Sequence, residues 1–211
     1  MGSFDGRTVF VTGGAGALGE AVVARFREGG ASVVAPTRKE LDLTDETAVA
    51  GAYGALTGLW ASVHLAGGFT MAPLVATSLA AFRAQHDINA TTCFLACREA
   101  ARAMKGTGGR IVNVAARPAL VPTAGMIGYA TSKAVVAALT RHLAEELRGD
   151  GILVNAVAPS TIDTPANRKA MPRADFAAWP QPAEVAETII WLASPENRLT
   201  SGAVVPVYGK V

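Results

Sequence analysis

Arg7-Thr8-Val9-Phe10-Val11-Thr12-Gly13-Gly14-Ala15-Gly16-Ala17-Leu18-Gly19 is the stretch on which the fold turns. Arg7 to Thr12 is a short apolar run and reads as a strand. It ends in a cluster of glycines, and a helical pattern follows through Glu28 until Gly29-Gly30 stops it. Strand, glycine turn and helix in that order form the context a dinucleotide fingerprint needs. Glycines let the backbone come close to a pyrophosphate, and the helix N-terminus supplies amide donors and a favourable dipole. Gly13, Ala15, Gly16, Ala17, Leu18 and Gly19 are therefore candidate cofactor contacts. A glycine-rich turn with no ligand is the plainer alternative.

Beyond this unit, Ala31 to Ala35 reads as a second parallel strand ending at Pro36-Thr37-Arg38-Lys39. In dinucleotide-binding folds an acidic residue here holds the ribose 2′-hydroxyl, whereas Arg accommodates a 2′-phosphate. Thr37 and Arg38 come with no carboxylate before Glu40, which favours NADP(H) over NAD(H); a solvated basic turn is the alternative. Leu41-Asp42-Leu43-Thr44-Asp45 follows at once, with no room for an intervening helix. Thr44 or Asp45 is placed to cap a helix carrying Ala48 to Leu56.

Leu59 to Leu65, Arg110 to Val114, Ile152 to Val157 and Ala203 to Val207 read as further strands. Helix patterns run from Ser78 to about Met104, from Tyr129 to about Leu147, and around Val185 to Leu192. The first of these is small or apolar on more than one face, which calls for a second packing partner. Strands alternating with helices specify an α/β fold with a parallel sheet covered on both faces. One domain spanning 1–211 is expected, with a short lid at about 165–181.

The composition fits. Half the 211 residues are hydrophobic, 17% are charged and the net charge is +2, which speaks against disorder and nucleic-acid binding. The apolar stretches fall short of spanning length, so no membrane helix is expected and the cytoplasm is the expected location. Cys93 and Cys97 read as two small buried hydrophobes, with a redox or metal pair as the alternative. His64, His86 and His142 are scattered and offer no metal spacing.

Tyr129 and Lys133 are four apart at the head of an Ala-rich helix pattern, on one helix face. A nearby ammonium favours phenolate, and such a pair passes a proton as a general acid beside a carbonyl or imine must.

Taken in order, Thr12-Gly13…Gly19, Ala66-Gly67, Asn89, Tyr129-x-x-x-Lys133 and Pro159…Thr164 resemble the short-chain dehydrogenase/reductase family from end to end. The resemblance implies a Rossmann-type, doubly wound sheet of seven parallel strands, with a nicotinamide cofactor at their carboxyl ends. It implies Tyr129 as proton donor, Lys133 as the holder of the nicotinamide ribose, and Asn89 as the group placing a water in the proton relay. Ile162 and Thr164 would hold the carboxamide, and Asp42 and Leu43 would line the adenine site. Ala66, Gly67, Gly68 and Pro159 would complete the cofactor cleft, with Ala116, Arg117 and Phe69 at the substrate. For Asn89 a backbone hydrogen bond, and for Thr164 a helix cap, is the structural alternative.

Several positions depart from the pattern. The serine usually found thirteen residues before the tyrosine is Ala116, His64-Leu65 replaces the usual Asn-Asn, Ala17 replaces the middle glycine, and Ser160 replaces a common glycine. A serine hydroxyl there steadies a developing oxyanion, a contribution of about 3 kcal/mol. Gly125-Met126-Ile127-Gly128-Tyr129 and Ala66-Gly67-Gly68 with an aromatic resemble the dihydropteridine reductase branch, which also lacks the serine. Its conjugated imine substrate spreads the charge that hydride transfer creates. That branch prefers NADH and carries an acid after the second strand, unlike Thr37-Arg38. A carbonyl reductase using Thr123 or a water in place of the serine is a second reading. A non-catalytic, cofactor-binding regulatory protein is a third. The broad apolar helices around Phe94 and Leu139 imply a homodimer or homotetramer.

Overall fold

The computed structural model describes residues 2–210; Met1 and Val211, the ends of the expected 1–211 domain, lie outside the described residues. Six strands form one parallel sheet: β1 (Thr8–Thr12), β2 (Ser32–Val34), β3 (Leu59–His64), β4 (Gly109–Val114), β5 (Ile152–Pro159) and β6 (Val204–Val207). Their order across the sheet is β2-β1-β3-β4-β5-β6. The chain leaves β1 toward one edge and then crosses back to place β3 on the other side of β1. The crevice at that reversal, outside the carboxyl ends of β1 and β3, is where ligands bind in open α/β sheets.

The seven strands implied by the resemblance are corrected to six. A parallel crossover needs a dozen or more residues. Between β2 and the next helix, α2 (Glu46–Gly54), lie only Ala35 to Asp45. That span accommodates a turn and a cap but not another strand. Leu41 buries its side chain in the core, Asp42 accepts from the Thr44 amide and hydroxyl at 2.9 and 2.7 Å, and Asp45 caps α2 through the amides of Thr47 and Ala48. With no strand beyond it among the described residues, β2 is the sheet edge.

Alternation along the strands divides the core in two. Val9, Val11, Ala61, Val63 and Val112 face α1 (Ala17–Glu28) and α7 (Pro182–Ala193), which bring Val22, Phe26, Val185, Ile189 and Leu192. Phe10, Ile111, Ile152 and Val154 face the opposite layer: α2, α4 (Thr92–Ala103) and α5 (Ile127–Glu146). The long helix expected from Ser78 is α3 (Leu79–His86), capped by the Ser78 hydroxyl, then a π-helical turn over Asp87–Thr91, then α4. A π turn inserts an extra residue and reaims the side chains around it, and such turns recur at functional sites. Here it carries Asn89. A short α6 (Pro165–Ala170) follows β5.

Candidate active site

Three loops at the carboxyl ends of the strands converge. Gly13 leaves β1 with φ +71°, and a Cβ there would lie 2.7 Å from the Ala66 amide nitrogen, so only glycine allows the β1 and β3 loops to touch. Thr12 fastens them, its hydroxyl accepting from the Ala66 amide at 3.3 Å. Gly16 precedes α1 without a side-chain cap. The first amides of that helix therefore have no intrahelical acceptor and suit an anion. Gly13, Gly16, Ala17, Leu18 and Gly19 line a cavity of about 440 Å³ together with Leu65, Thr164, Pro165 and Ala166. The glycine cradle, the uncapped helix start and the room beside them fit a dinucleotide pyrophosphate.

Leu65, Pro165 and Ala166 were missed in the sequence because an apolar side chain on a loop carries no signal until its neighbours are known. Thr164 lines the cavity and also caps α6, accepting from the Asn167 amide at 3.2 Å. The Ile162 carbonyl is taken by the Asn167 side chain at 2.8 Å. Just beyond, Asp163 binds Arg168 at 2.6 Å and Gln181 at 2.7 Å, tying both ends of the 165–181 segment to the end of β5.

On the opposite side of the crevice, α5 presents Tyr129 and Lys133. Lys133 is buried, and its ammonium donates to the Val114 carbonyl at 2.8 Å. Burial holds that ammonium down to about 8. Tyr129 packs edge-on against Phe69, ring centroids 4.9 Å apart, and burial pushes its phenol up to about 12. Burial thus raises the phenol, where an acidification by the cationic neighbour is the expectation from spacing. At neutral pH the phenol holds its proton, which is the form a proton donor needs.

Asn89 is buried and spans the turn after β3. Its Oδ1 accepts from the Gly68 amide at 3.0 Å, while its Nδ2 donates to the carbonyls of Gly68 and Gln85 at 2.9 and 3.0 Å. A Cβ on Gly67 would lie 2.6 Å from Asn89 Oδ1 and 3.3 Å from Lys133 Nζ. Gly67, Asn89 and Lys133 therefore meet at one point. With both amide protons committed to carbonyls, Asn89 positions this turn.

Ala116 is buried and extended, and Arg117 begins the next turn. The Arg117 guanidinium lies 5.6 Å from the Tyr208 ring centroid, and its Nε is buried without a hydrogen-bond partner among the described residues. Thr123, considered as a stand-in for the serine, is exposed and donates to the Val121 carbonyl at 3.1 Å, as an ordinary loop residue does. Thr37 springs a surprise: its amide and hydroxyl both donate to Glu40 Oε2 at 2.8 Å. Glu40 therefore occupies both Thr37 donors, and the two bonds hold its carboxyl below the usual range. Asp42 is likewise engaged with Thr44, while Leu43 packs on the core.

A family model described as enoyl-(acyl carrier protein) reductase matches residues 5–209. The chain belongs to the short-chain dehydrogenase/reductase family. Among curated relatives, cis-4-hydroxycyclohexanecarboxylate dehydrogenase of Sinomonas cyclohexanicum is 35% identical, the match covering 98% of this chain and 97% of that protein. The cyclic-di-GMP-binding biofilm dispersal mediator protein of Escherichia coli is 31% identical, with 99% and 98% covered. A solved short-chain dehydrogenase/reductase from Serratia marcescens superposes with a TM-score of 0.90 at 28% identity, covering 99% of this chain and 98% of that one. This short-chain dehydrogenase/reductase is accordingly an NAD(P)-dependent oxidoreductase with a Rossmann-like sheet.

Two glycines at the start of α1 differ in the room around them. A Cβ on Gly19 would run into the Gly13 carbonyl oxygen and lie 2.7 Å from Gly14 Cα, both rigid backbone, whereas one on Gly16 meets only the Gly13 oxygen at 3.5 Å. Gly19→Ala is expected to destabilise the protein by about 2 kcal/mol or more, read by urea denaturation. Gly16→Ala is expected to unfold at nearly the native urea concentration while binding the dinucleotide more weakly, read by fluorescence titration.

Proposed function

We propose that this enzyme is a reductase that delivers hydride from NADPH, in preference to NADH, to a small conjugated imine or carbonyl, with Tyr129 supplying the proton. The observation that carries the reading is the Tyr129 phenol packed on Phe69, one helical turn from the buried Lys133 ammonium that meets Gly67 in the turn after β3. The nicotinamide supplies the hydride. Lys133 has ammonium protons beyond the one given to Val114, which suit the ribose hydroxyls, and Asn89 keeps the Gly67-Gly68 turn against them. Gly13, Ala15 to Gly19 and Pro159 to Thr164 wall the cleft, with the 165–181 segment as a short lid.

Ala116 supports a substrate whose charge is delocalised. An alanine offers nothing to a localised alkoxide, whereas a conjugated acceptor spreads the charge that hydride brings and needs no hydroxyl there. A quinonoid dihydropterin is the specific form of this reading. The regulatory reading draws on the relative named as a cyclic-di-GMP-binding mediator, but a protein without catalysis has no need of a desolvated Tyr129 and Lys133. Exposed Phe94 on α4 and Val135 on α5 support self-association through those helices as a dimer or tetramer.

Initial rates with NADPH and NADH, against quinonoid dihydropterin, quinones and simple ketones, test the proposal. NADPH with a conjugated acceptor is expected to be fastest. Glu40→Gln removes a carboxylate that would repel a 2′-phosphate and is expected to raise the NADPH over NADH ratio of kcat/KM by about tenfold or more. A native enzyme that binds NADH far more tightly, with the preference unmoved in the variant, would overturn the cofactor assignment.

A further inference from the structure

Beneath the cofactor crevice, between β3, β4 and α4, lies a buried polar cluster with no part in the proposed chemistry. Cys93 and Cys97 are one helical turn apart and both point at the sheet, as the reading of them as buried predicts. Their sulfurs, however, do not meet hydrocarbon. Cys97 Sγ lies 4.0 Å from Cys93 Sγ and 3.4 Å from His64 Nδ1, and both sulfurs lie 3.4 Å from Asn113 Oδ1. His64, thought to lack any metal spacing, forms with the two cysteines a buried group whose ligand atoms all lie within 4.8 Å of one another. The sequence hid this because His64 ends strand β3 while the cysteines lie on α4.

Asn113 makes the cluster unusual. Its Nδ2 donates to the Thr140 hydroxyl at 3.0 Å, and that hydroxyl itself donates to the Val136 carbonyl at 2.8 Å. The amide is thereby locked with Oδ1 toward His64, Cys93 and Cys97. Three donors, two thiols and the His64 ring at 2.8 Å, converge on an oxygen that has two lone pairs. A single cation would replace that crowd of protons and draw on lone pairs of all four groups.

We infer that Cys93, Cys97, His64 Nδ1 and Asn113 Oδ1 form a structural zinc site. Zinc bonds of about 2.3 Å to sulfur and about 2.0–2.2 Å to nitrogen or oxygen, at tetrahedral angles, set ligand atoms about 3.3–3.8 Å apart. The distances of 4.0 and 3.4 Å bracket that range; the 2.8 Å edge from His64 to Asn113 must open by about half an ångström, and Cys93 Sγ, within 4.8 Å of the His64 ring nitrogen, must close on it. The Cys-x-x-x-Cys spacing falls among those of structural zinc sites. Two thiolates neutralise the divalent ion, so the complex is uncharged and suits a buried site. His64 Nε2, 2.8 Å from the Ser62 hydroxyl, has the outer partner that orients a ligating imidazole. Such an ion would pin α4 to the sheet one helical turn past Asn89.

The test uses the full chain without an affinity tag, refolded with zinc or with cobalt(II) under reducing conditions and then desalted. About one zinc per chain by elemental analysis is expected, with cobalt giving thiolate charge-transfer absorption and the intense visible bands of a tetrahedral centre. Cys93→Ser with Cys97→Ser should lose both. Should that pair fail to fold by circular dichroism, His64→Gln, which keeps a polar group, should shift the cobalt bands and weaken retention. A chain that excludes zinc and gives no cobalt spectrum would show a hydrogen-bonded core only and overturn the site. Metal retained by the folded double variant, or cobalt bands unmoved by His64→Gln, would place the ion elsewhere and equally overturn it.

Discussion

Tyr129→Phe is expected to lower kcat by roughly 10²- to 10⁴-fold, the usual share of a positioned general acid, while dinucleotide affinity changes little. The substitution keeps the ring edge against Phe69 and removes only the hydroxyl. Desolvation raises this phenol to about 12, with no hydrogen bond from the described residues offsetting it. The variant should therefore fold as well as the native enzyme, and the loss should be confined to chemistry. Initial rates beside a fluorescence titration of NADPH make the measurement. A variant that retains a tenth or more of native turnover would remove Tyr129 as proton donor. An inactive native chain that binds NADPH equally well with either residue would favour the regulatory reading.

The layered architecture was legible because it rests on local signals that survive without tertiary context. A glycine cluster between an apolar run and a helix pattern fixes a βα unit, and each apolar run read as a strand is a strand in the sheet. The seventh strand came from resemblance alone. The residues themselves warned against it, since Leu41-Asp42-Leu43 follows β2 too closely for a crossover. Helix α4 shows the opposite limit: periodicity marks a continuous helix from Ser78, but the π turn at Asn89 is one inserted residue that no hydrophobic pattern resolves.

At the site, Tyr129 with Lys133 and the glycines of the first turn stand out in the sequence by spacing alone. What the sequence obscured was competition for the same groups. Thr37 reads as open to a phosphate until Glu40 is seen holding both of its donors. Asn89 carries no sequence signal for the hydrogen bonds that its side-chain amide makes to Gly68 and Gln85. The cluster of His64, Cys93, Cys97 and Asn113 is assembled from two strands and a helix, so no window of sequence contains it.

Lys133→Met should disable the enzyme and stabilise it together. In the folded protein the ammonium is desolvated, with the Val114 carbonyl at 2.8 Å as its hydrogen-bond partner, and its pKa falls to about 8. That drop from the ordinary lysine value corresponds to a cost of about 3 kcal/mol at neutral pH. Methionine fills similar space without a charge. It leaves the Val114 carbonyl unpartnered, at a cost of about 1 kcal/mol. The net gain of about 2 kcal/mol raises Tm by roughly 5 °C in a protein of this size. Between pH about 8 and the ordinary lysine range, the unfolded chain keeps a proton that the folded chain has released. Native stability should therefore rise with pH across that window, and the variant should lack this rise. Native oxidoreductase activity should fall over the same interval as the ammonium is lost, because Tyr129 remains protonated throughout and cannot account for the decline. Calorimetry and initial rates from pH 6 to 10 read both effects. A variant that melts below the native protein would mean that Lys133 contributes more as a hydrogen-bonded strut than it costs as a buried charge, and the stability argument would fail even if the activity is lost.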